Sequence, residues 1–309
     1  MERLSQRLMQ SVCLGFLAPL LVVGVAGRVP ARSDDITFSG QDSGITVQLI
    51  DHDDMTLDAY LQRVVLGEMP VSFQPEALKA QAVAARTYTM KHRDKHEGRL
   101  CTDSTCCQAF CTEENLAAFS VEDREKAAAA VGETDGLVLS YDGALIDATF
   151  FSCSGGRTED ALAVWGTDVP YLQSVESPGE TAAKYDRDSV SFSRQALEAA
   201  LDIALGDDPA SWVGEASLTE GGGVECMELG GRRFTGVYLR KALGLRSTAF
   251  TVTAEGDTLR FDTRGYGHRV GLSQYGANAM ALEGADFREI LSHYYPGTIL
   301  LNYGEFVEK

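Results

Sequence analysis

Apolar side chains repeat at the spacing of one helix face in the first polar part of the chain, at Leu57, Tyr60, Leu61, Val64 and Val65. This pattern predicts a helix that follows an N-cap at Thr56 and runs to about Leu66. Gly67 is a typical residue to end such a helix. Glu68 is therefore expected just past the helix C-terminus, where unpaired carbonyl groups carry partial negative charge.

A second helix is predicted from Pro75, a favoured first-turn residue, to about Lys91. It is rich in alanine and poor in large aliphatic side chains, which indicates close packing against other backbone. Its longer polar side chains should then point to a defined place, either the core or a binding groove. These side chains are Lys79, Gln81 and Arg86.

The remaining pattern predicts shorter elements. Helices are predicted over residues 113–131, 194–204 and 235–243, and strands over residues 45–50, 137–141, 145–151, 250–253 and 258–262. Asp142 and Gly143 form a hairpin signal between two of these strands. Residues 180–250 are acidic and interrupted by glycine, and they contain no candidate chemistry. The last fifty residues are glycine-rich and then helical.

Residues 8–27 form an uncharged apolar stretch between Arg7 and Arg28, long enough to cross a bilayer as a helix. A cleaved signal peptide is the alternative, because Val25 and Gly27 are small enough to precede a cleavage site. The length favours a single-pass anchor over residues 1–32, followed by a linker over residues 33–44. Everything beyond is expected outside the cytoplasm, and it would be secreted if the segment were cleaved.

The chain is strongly acidic, with 27 Lys and Arg against 45 Asp and Glu and a net charge of −18. Four of the arginines flank the apolar stretch, so the expected exported part is more acidic still. Nucleic acid and anionic lipid are therefore expected to be poor partners.

A cluster of soft ligands lies in one predicted loop. His96, Cys101, Cys106 and Cys107 provide enough of them for a closed tetrahedral zinc site of the structural kind. A disulfide such as Cys101 to Cys111 is the alternative, since an exported protein tolerates one. Zinc is favoured because the adjacent Cys106 and Cys107 are awkward to pair with each other.

Glu68 is the leading catalytic candidate on chemical grounds. Carbonyl dipoles and apolar neighbours such as Met69 and Phe73 disfavour a carboxylate, which raises the pKa of Glu68 and keeps a proton available for general acid catalysis. By composition alone an ordinary surface glutamate in a turn is favoured, and the catalytic interpretation depends on the resemblance described next.

Three ordered blocks resemble the stage II sporulation protein D (SpoIID) family. They are LGEMPVSFQPEALKAQAVAARTY at 66–88, ATFFSCSGGRT with VWGTDVPYLQSVESP at 148–178, and GYGHRVGLSQYGANAMALEGADFREILSHYYPGT at 265–298. The resemblance extends from about residue 45 to 301. It implies a membrane-anchored lytic transglycosylase that cleaves peptidoglycan between N-acetylmuramic acid and N-acetylglucosamine and leaves a 1,6-anhydro end.

The resemblance also implies partners and residue roles. The partners are glycan strands stripped of stem peptides, a peptidoglycan amidase and a multipass membrane protein that act together during engulfment. Glu68 takes the position of the catalytic acid, and Arg86 and Tyr171 take positions that contact substrate. Gln173 replaces a lysine that is frequent in the family. Some members hold zinc with two histidines and two cysteines, and Cys106 replaces one of those histidines here.

The glycine-rich block at 265–277 carries further candidate sugar contacts, namely His268, Ser273, Gln274 and Tyr275. The alternative is a block that only determines the fold. Arg269 stands where the family usually has glycine, so the local geometry is expected to differ.

Together these observations predict an α+β fold whose core combines N-terminal and C-terminal parts over residues 45–309. A second lobe is expected within about residues 120–250, with a groove between the two and Glu68 on that groove. A single glutamate suffices for lytic cleavage because the sugar's own hydroxyl is the nucleophile. The alternatives are a non-catalytic wall-binding or scaffold protein of the same fold and a zinc amidase, which would need an open metal site.

Overall fold

The computed structural model describes residues 44–50 and 52–304. The predicted membrane segment, most of the linker and the last five residues lie outside this part of the chain. No helix in the described part is both long enough and apolar enough to cross a membrane. The structure mixes helices and small sheets, which confirms the α+β class.

The helices of the described residues are α1 (Leu57–Glu68), α2 (Pro75–His92), α3 (Lys95–Gly98), α4 (Glu113–Leu116), α5 (Val121–Gly132), α6 (Ala161–Trp165), α7 (Arg194–Leu201), α8 (Gly236–Leu243), α9 (Gln274–Leu282) and α10 (Phe287–Tyr294). Short 3₁₀ turns occur at Glu180–Ala182 and Pro209–Ser211.

The strands are β1 (Thr46–Val47), β2 (Met55–Thr56), β3 (Leu137–Tyr141), β4 (Ala144–Leu145), β5 (Phe150–Phe151), β6 (Arg187–Ser193), β7 (Val213–Leu218), β8 (Val224–Leu229), β9 (Arg232–Thr235), β10 (Phe250–Glu255), β11 (Thr258–Arg264), β12 (Leu272–Ser273) and β13 (Ile299–Asn302). They form antiparallel sheets in the orders β1-β2, β10-β11-β6, β13-β3-β4 and β7-β8-β9, and a parallel pair β12-β5.

Helix α2 lies at the centre of the larger of two hydrophobic cores. It contacts α1, α5, α9, α10 and β3, and five of its alanines are fully buried: Ala77, Ala80, Ala82, Ala84 and Ala85. Methyl side chains allow these elements to approach the helix on several sides without a clash. The predicted close packing of this helix is thus confirmed.

The two cores draw on different parts of the chain. The larger core collects buried residues from 47–172 and from 270–295, whereas the smaller core lies wholly within residues 197–261. Residues 120–172 therefore pack into the larger core rather than into the second one. The second core is built on the β10-β11-β6 and β7-β8-β9 sheets with α7 and α8.

Several predicted elements differ from the structure. The predicted helix at 113–131 is interrupted, because Ser120 forms a capping box with Asp123 and starts a new helix. The predicted strand at 145–151 divides into β4 and β5, and the strand at 45–50 shortens to β1. Strands β6 to β9 were missed in a region that sequence patterns left as loops.

A buried ion pair joins the larger core to the glycine loop between β7 and β8. Arg269 Nη1 lies 3.0 Å from Glu159 Oε1, and both side chains are at most 2% exposed. The same guanidinium donates to the carbonyl groups of Ser154, Arg157 and Gly221. Arg269 has a φ of 66°, a conformation that favours glycine, so these bonds offset its local strain.

Replacing Glu159 with alanine should destabilise the fold by about 3–5 kcal/mol, because it leaves a buried guanidinium without its counter-charge. Denaturant unfolding of Glu159→Ala measures this loss. Glu255→Ala is the matched control, since it removes a carboxylate that pairs with Arg260 at the surface. Equal losses in the two variants would contradict a stabilising role for the buried pair.

Candidate active site at Glu68

Glu68 is the last residue of α1 rather than a residue beyond it. Gly67 continues the helix, and the N–H of Met69 still bonds to the carbonyl of Val65 at 3.0 Å. The predicted helix end at about Leu66 was therefore two residues short. Thr56 caps the other end through the N–H of Ala59, as predicted.

Gly67 is required for a different reason, which is close packing. A Cβ atom at this position would lie 3.0 Å from the carbonyl oxygen of Ala109 and 3.1 Å from the backbone nitrogen of Phe110. The absence of a side chain lets the backbone of residues 109–110 pass directly against the end of α1. That backbone thereby reaches the carboxylate of the next residue.

The Glu68 carboxylate accepts the N–H of Ala109 at 2.6 Å and faces the amide of Gln274 at 3.5 Å. Its side chain remains partly exposed. Burial among its neighbours, Met69 among them, raises the pKa of Glu68 to about 7, and the two hydrogen-bond donors only partly oppose this rise. The predicted direction is confirmed, with burial as the main cause. A carboxyl of this kind is about half protonated at neutral pH.

Gln274 connects Glu68 to α2 and is the first residue of α9. Its amide nitrogen lies 3.5 Å from the side-chain oxygen of Gln81, which is fully buried. Ser273 caps α9, and its hydroxyl also donates to the buried carboxylate of Glu180. These contacts fix the start of α9 beside the catalytic candidate.

The three polar candidates on α2 lie on two faces of the helix. Lys79 and Arg86 are seven residues apart, about two turns, and therefore share a face, whereas Gln81 points to the other side. Lys79 forms ion pairs with Glu76 at 2.8 Å and Glu133 at 2.6 Å. Among the three, only Gln81 is directed toward the surroundings of Glu68.

Arg86 has structural partners in this conformation. Its guanidinium is 1% exposed and donates to the carbonyl groups of Val131, Thr134 and Leu137. Burial lowers the pKa of Arg86 to about 10, so it stays charged at neutral pH. It also lines a cavity of about 580 Å³ together with residues at both ends of the described chain. These contacts favour the core alternative for Arg86 over contact with substrate.

Tyr171 and Gln173 lie in the segment after α6. The hydroxyl of Tyr171 accepts the N–H of Asp147 at 3.1 Å, and its ring packs against Tyr141. The side chain of Gln173 donates to the carbonyl of Val169 at 2.9 Å. Both side chains thus have local partners in the structure.

Aromatic rings extend from the Glu68 region along the β5 and β12 segments. Tyr275, next to Gln274, packs edge-on against Phe73 with ring centroids 4.9 Å apart. Farther along, His268 lies between Phe151 and Trp165, at 5.6 and 5.4 Å. Burial lowers the pKa of His268 to about 4, so its imidazole is neutral at physiological pH.

The predicted metal ligands come together. The ligand atoms of His96, Cys101, Cys106 and Cys107 all lie within 4.8 Å of one another. His96 Nε2 is 3.3 Å from Cys106 Sγ and 3.8 Å from Cys107 Sγ, close to the separation of about 3.6 Å expected in tetrahedral zinc. All six cysteines of the described residues are free thiols, and Cys111 is outside the group.

Sequence reasoning missed the group that contacts Glu68 most closely, the N–H of Ala109. A backbone donor from a distant loop has no residue-type signal. A glycine that immediately precedes a candidate acid is a weak sign of such an approach. Gln274 was recognised as a candidate only as part of its glycine-rich block.

Fold and site define an α+β protein with a partly buried glutamate of raised pKa, Glu68, and a His/Cys cluster that could hold a metal ion. A model of the SpoIID family, stage II sporulation protein, matches residues 47–141. Stage II sporulation protein D of Bacillus subtilis (strain 168) is 37% identical over 268 residues, which cover 83% of this chain and 78% of that protein.

Two further relatives extend the comparison. Stage II sporulation protein D of Bacillus amyloliquefaciens is 35% identical over 268 residues, which cover 83% of this chain and 77% of that protein. The amidase enhancer of Bacillus subtilis (strain 168) is 29% identical over 302 residues and is covered over only 40% of its length. The chain belongs to the stage II sporulation protein D family.

Replacing Gly67 with alanine should displace residues 109–110 and weaken the Ala109 hydrogen bond to Glu68. Because this bond favours the charged carboxylate, its loss should raise the pKa of Glu68 above about 7. A carbon-13 NMR titration of the side-chain carboxyl measures the shift. Gly132→Ala is the control, since a Cβ there meets no atom within 4 Å. An unchanged or lowered Glu68 pKa in Gly67→Ala would contradict the packing role of Gly67.

Proposed function

We propose that this protein is a peptidoglycan lytic transglycosylase in which Glu68 is the only catalytic carboxyl. The observation that carries the proposal is a partly exposed glutamate whose pKa is raised to about 7. Within residues 44–50 and 52–304, no other carboxylate is among the groups that shift this pKa. This environment supports a lone acid rather than the carboxylate pair that hydrolytic glycosidases use.

The proposed reaction needs one group that gives and then takes a proton. Protonated Glu68 donates its proton to the glycosidic oxygen, and the bond from that oxygen to C1 of N-acetylmuramic acid breaks. The 6-hydroxyl of the same sugar attacks C1 and gives its proton to the Glu68 carboxylate. The products are a 1,6-anhydro end and a free 4-hydroxyl on N-acetylglucosamine, and water takes no part.

The neighbours of Glu68 have complementary tasks in this scheme. The N–H of Ala109 holds one carboxyl oxygen, and the amide of Gln274 faces the other. Donors to a carboxylate stabilise it after proton transfer, whereas burial favours the protonated form before it. The two effects keep both protonation states accessible near neutral pH.

The biological setting is proposed from the relatives and the sequence. Two relatives are named stage II sporulation protein D, which supports a role in sporulation, with septal wall remodelling and engulfment as the expected process. Another is named an amidase enhancer, which supports a peptidoglycan amidase as a partner. We further propose a single-pass membrane protein with its catalytic region outside the cytoplasm, and a multipass membrane protein as a second partner.

The His/Cys cluster fits a structural zinc in this proposal. His96, Cys101, Cys106 and Cys107 would hold the metal, and with four protein ligands it would contribute folding free energy rather than Lewis-acid chemistry. A zinc amidase is disfavoured for the same reason. A non-catalytic scaffold remains the second candidate, because Arg86 and Gln173 are engaged in local hydrogen bonds.

Purified protein incubated with peptide-free glycan strands should release fragments with 1,6-anhydro ends, which mass spectrometry identifies. Glu68→Gln should lower this release by at least about a hundredfold, because an amide has no acidic proton to transfer to the glycosidic oxygen. Glu225→Gln is the control, since it removes an exposed carboxylate of the second core. No anhydro products from the unmodified protein would favour the scaffold, and released peptides from intact peptidoglycan would favour the amidase.

The cleavage rate should fall as the pH rises through about 7, because the first step needs the protonated form of Glu68. A rate profile from pH 5 to 9 under saturating substrate tests this dependence. A profile that is flat across pH 7, or one that rises with pH, would contradict the role of Glu68 as the acid.

A further inference from the structure

The loop between Leu100 and α4 contains three of the four candidate metal ligands, Cys101, Cys106 and Cys107, and also the backbone group that bonds to Glu68. Residues 101–112 form only turns and irregular structure. The ligands Cys106 and Cys107 are followed by Gln108 and then by Ala109, whose N–H bonds to the Glu68 carboxylate at 2.6 Å. Only one residue separates the last thiol from the residue that contacts Glu68.

The C-terminal part of this loop, residues 108–111, is held by hydrogen bonds to two helices. Gln108 donates to the hydroxyls of Tyr60 at 3.3 Å and Thr89 at 2.9 Å. The N–H of Cys111 bonds to the carbonyl of Arg63 at 3.0 Å. These bonds connect residues 108–111 to α1 and α2.

The position of the N-terminal part of the loop, residues 101–107, depends mainly on the His/Cys cluster. The carbonyl of Cys106 accepts from Lys95 at 3.1 Å and from Tyr88 at 3.4 Å, and the thiols of the cluster, of which only that of Cys106 is exposed, have weak hydrogen-bonding ability. His96 reaches the cluster with a φ of 46°, a left-handed conformation that a non-glycine residue rarely adopts. Backbone strain of this kind persists where a further interaction over-determines the geometry.

We infer that the metal cluster is a positioning device for the acid: zinc bound by His96, Cys101, Cys106 and Cys107 holds the 101–109 loop so that the N–H of Ala109 stays on the Glu68 carboxylate. The inference concerns how the proposed active site is held in place, so its catalytic meaning rests on the proposed function. The geometric link between the metal cluster and Ala109 does not depend on that function. Zinc acts here through the loop and has no contact with substrate.

The loss of zinc should therefore weaken the hydrogen bond from Ala109 to Glu68 before it destabilises the rest of the fold. Amide hydrogen exchange at Ala109, followed by nitrogen-15 NMR, should be about tenfold faster in chelator-treated protein than in protein reloaded with Zn²⁺, as expected when one hydrogen bond is released. Exchange in α5 should change little. Metal analysis of the two samples should give about one zinc per chain and none.

Cys106→Ser tests the same link without a chelator, and because the side chain is exposed the substitution removes no core packing. It should reproduce the fast exchange at Ala109, whereas Cys226→Ser, outside the cluster, should not. The alkaline limb of the cleavage profile should move to higher pH in Cys106→Ser, because the lost donor raises the pKa of Glu68. A purely structural zinc would lower the rate without moving this limb.

Equal Ala109 exchange with and without Zn²⁺, or a protein that binds no zinc, would overturn the inference. These readouts need no glycan cleavage, so the two proposals can fail separately. Zinc-dependent exchange without anhydro products would support the link and contradict only the proposed function. Cleavage to anhydro products with zinc-independent exchange at Ala109 would support the proposed function and contradict only the link between zinc and Ala109.

Discussion

Close approach of backbone to the ends and faces of α1 and α2 is the constraint on which the rest of the structure depends. Buried alanines of α2 let five other elements pack around one helix. At Gly67 the missing side chain leaves room for the backbone of residues 109–110, which a Cβ atom at this position would approach to about 3 Å. A larger side chain at Gly67 or at these alanines would separate the segments that form the candidate site.

The candidate site follows from this packing. The same approach that brings the N–H of Ala109 to Glu68 also removes water from its carboxyl and raises its pKa to about 7. Gln274 arrives from the C-terminal part of the chain, so the site exists only when both parts of the larger core are assembled. Assembly of the fold and the raised pKa of Glu68 are therefore linked.

Local signals in the sequence were sufficient for much of this structure. The N-cap at Thr56, the first-turn proline at Pro75 and the hairpin signal at Asp142 each determine structure over a few residues, and each was read correctly. The capping box at Ser120 was an equally local signal that was overlooked. The α+β class and the grouping of the four soft ligands followed from patterns of the same kind.

Other features depend on contacts between distant residues and have no local signal. Which face of α2 meets α5 decided that Arg86 would bond to carbonyl groups. The close packing at Gly67 involves a loop that starts more than thirty residues later. The strands of the second core depend on pairing with each other, as in the seven-residue match of β6 with β11.

The most direct measurement is a crystal structure of Glu68→Gln with a bound, peptide-free glycan oligomer. If Glu68 is the acid, a glycosidic oxygen should lie within about 3.2 Å of the side chain at position 68. The N-acetylmuramic acid that carries this oxygen on its C1 should then point its 6-hydroxyl toward its own C1. A glycan bound at another face, with no glycosidic oxygen near position 68, would contradict the assignment of Glu68 as the catalytic acid.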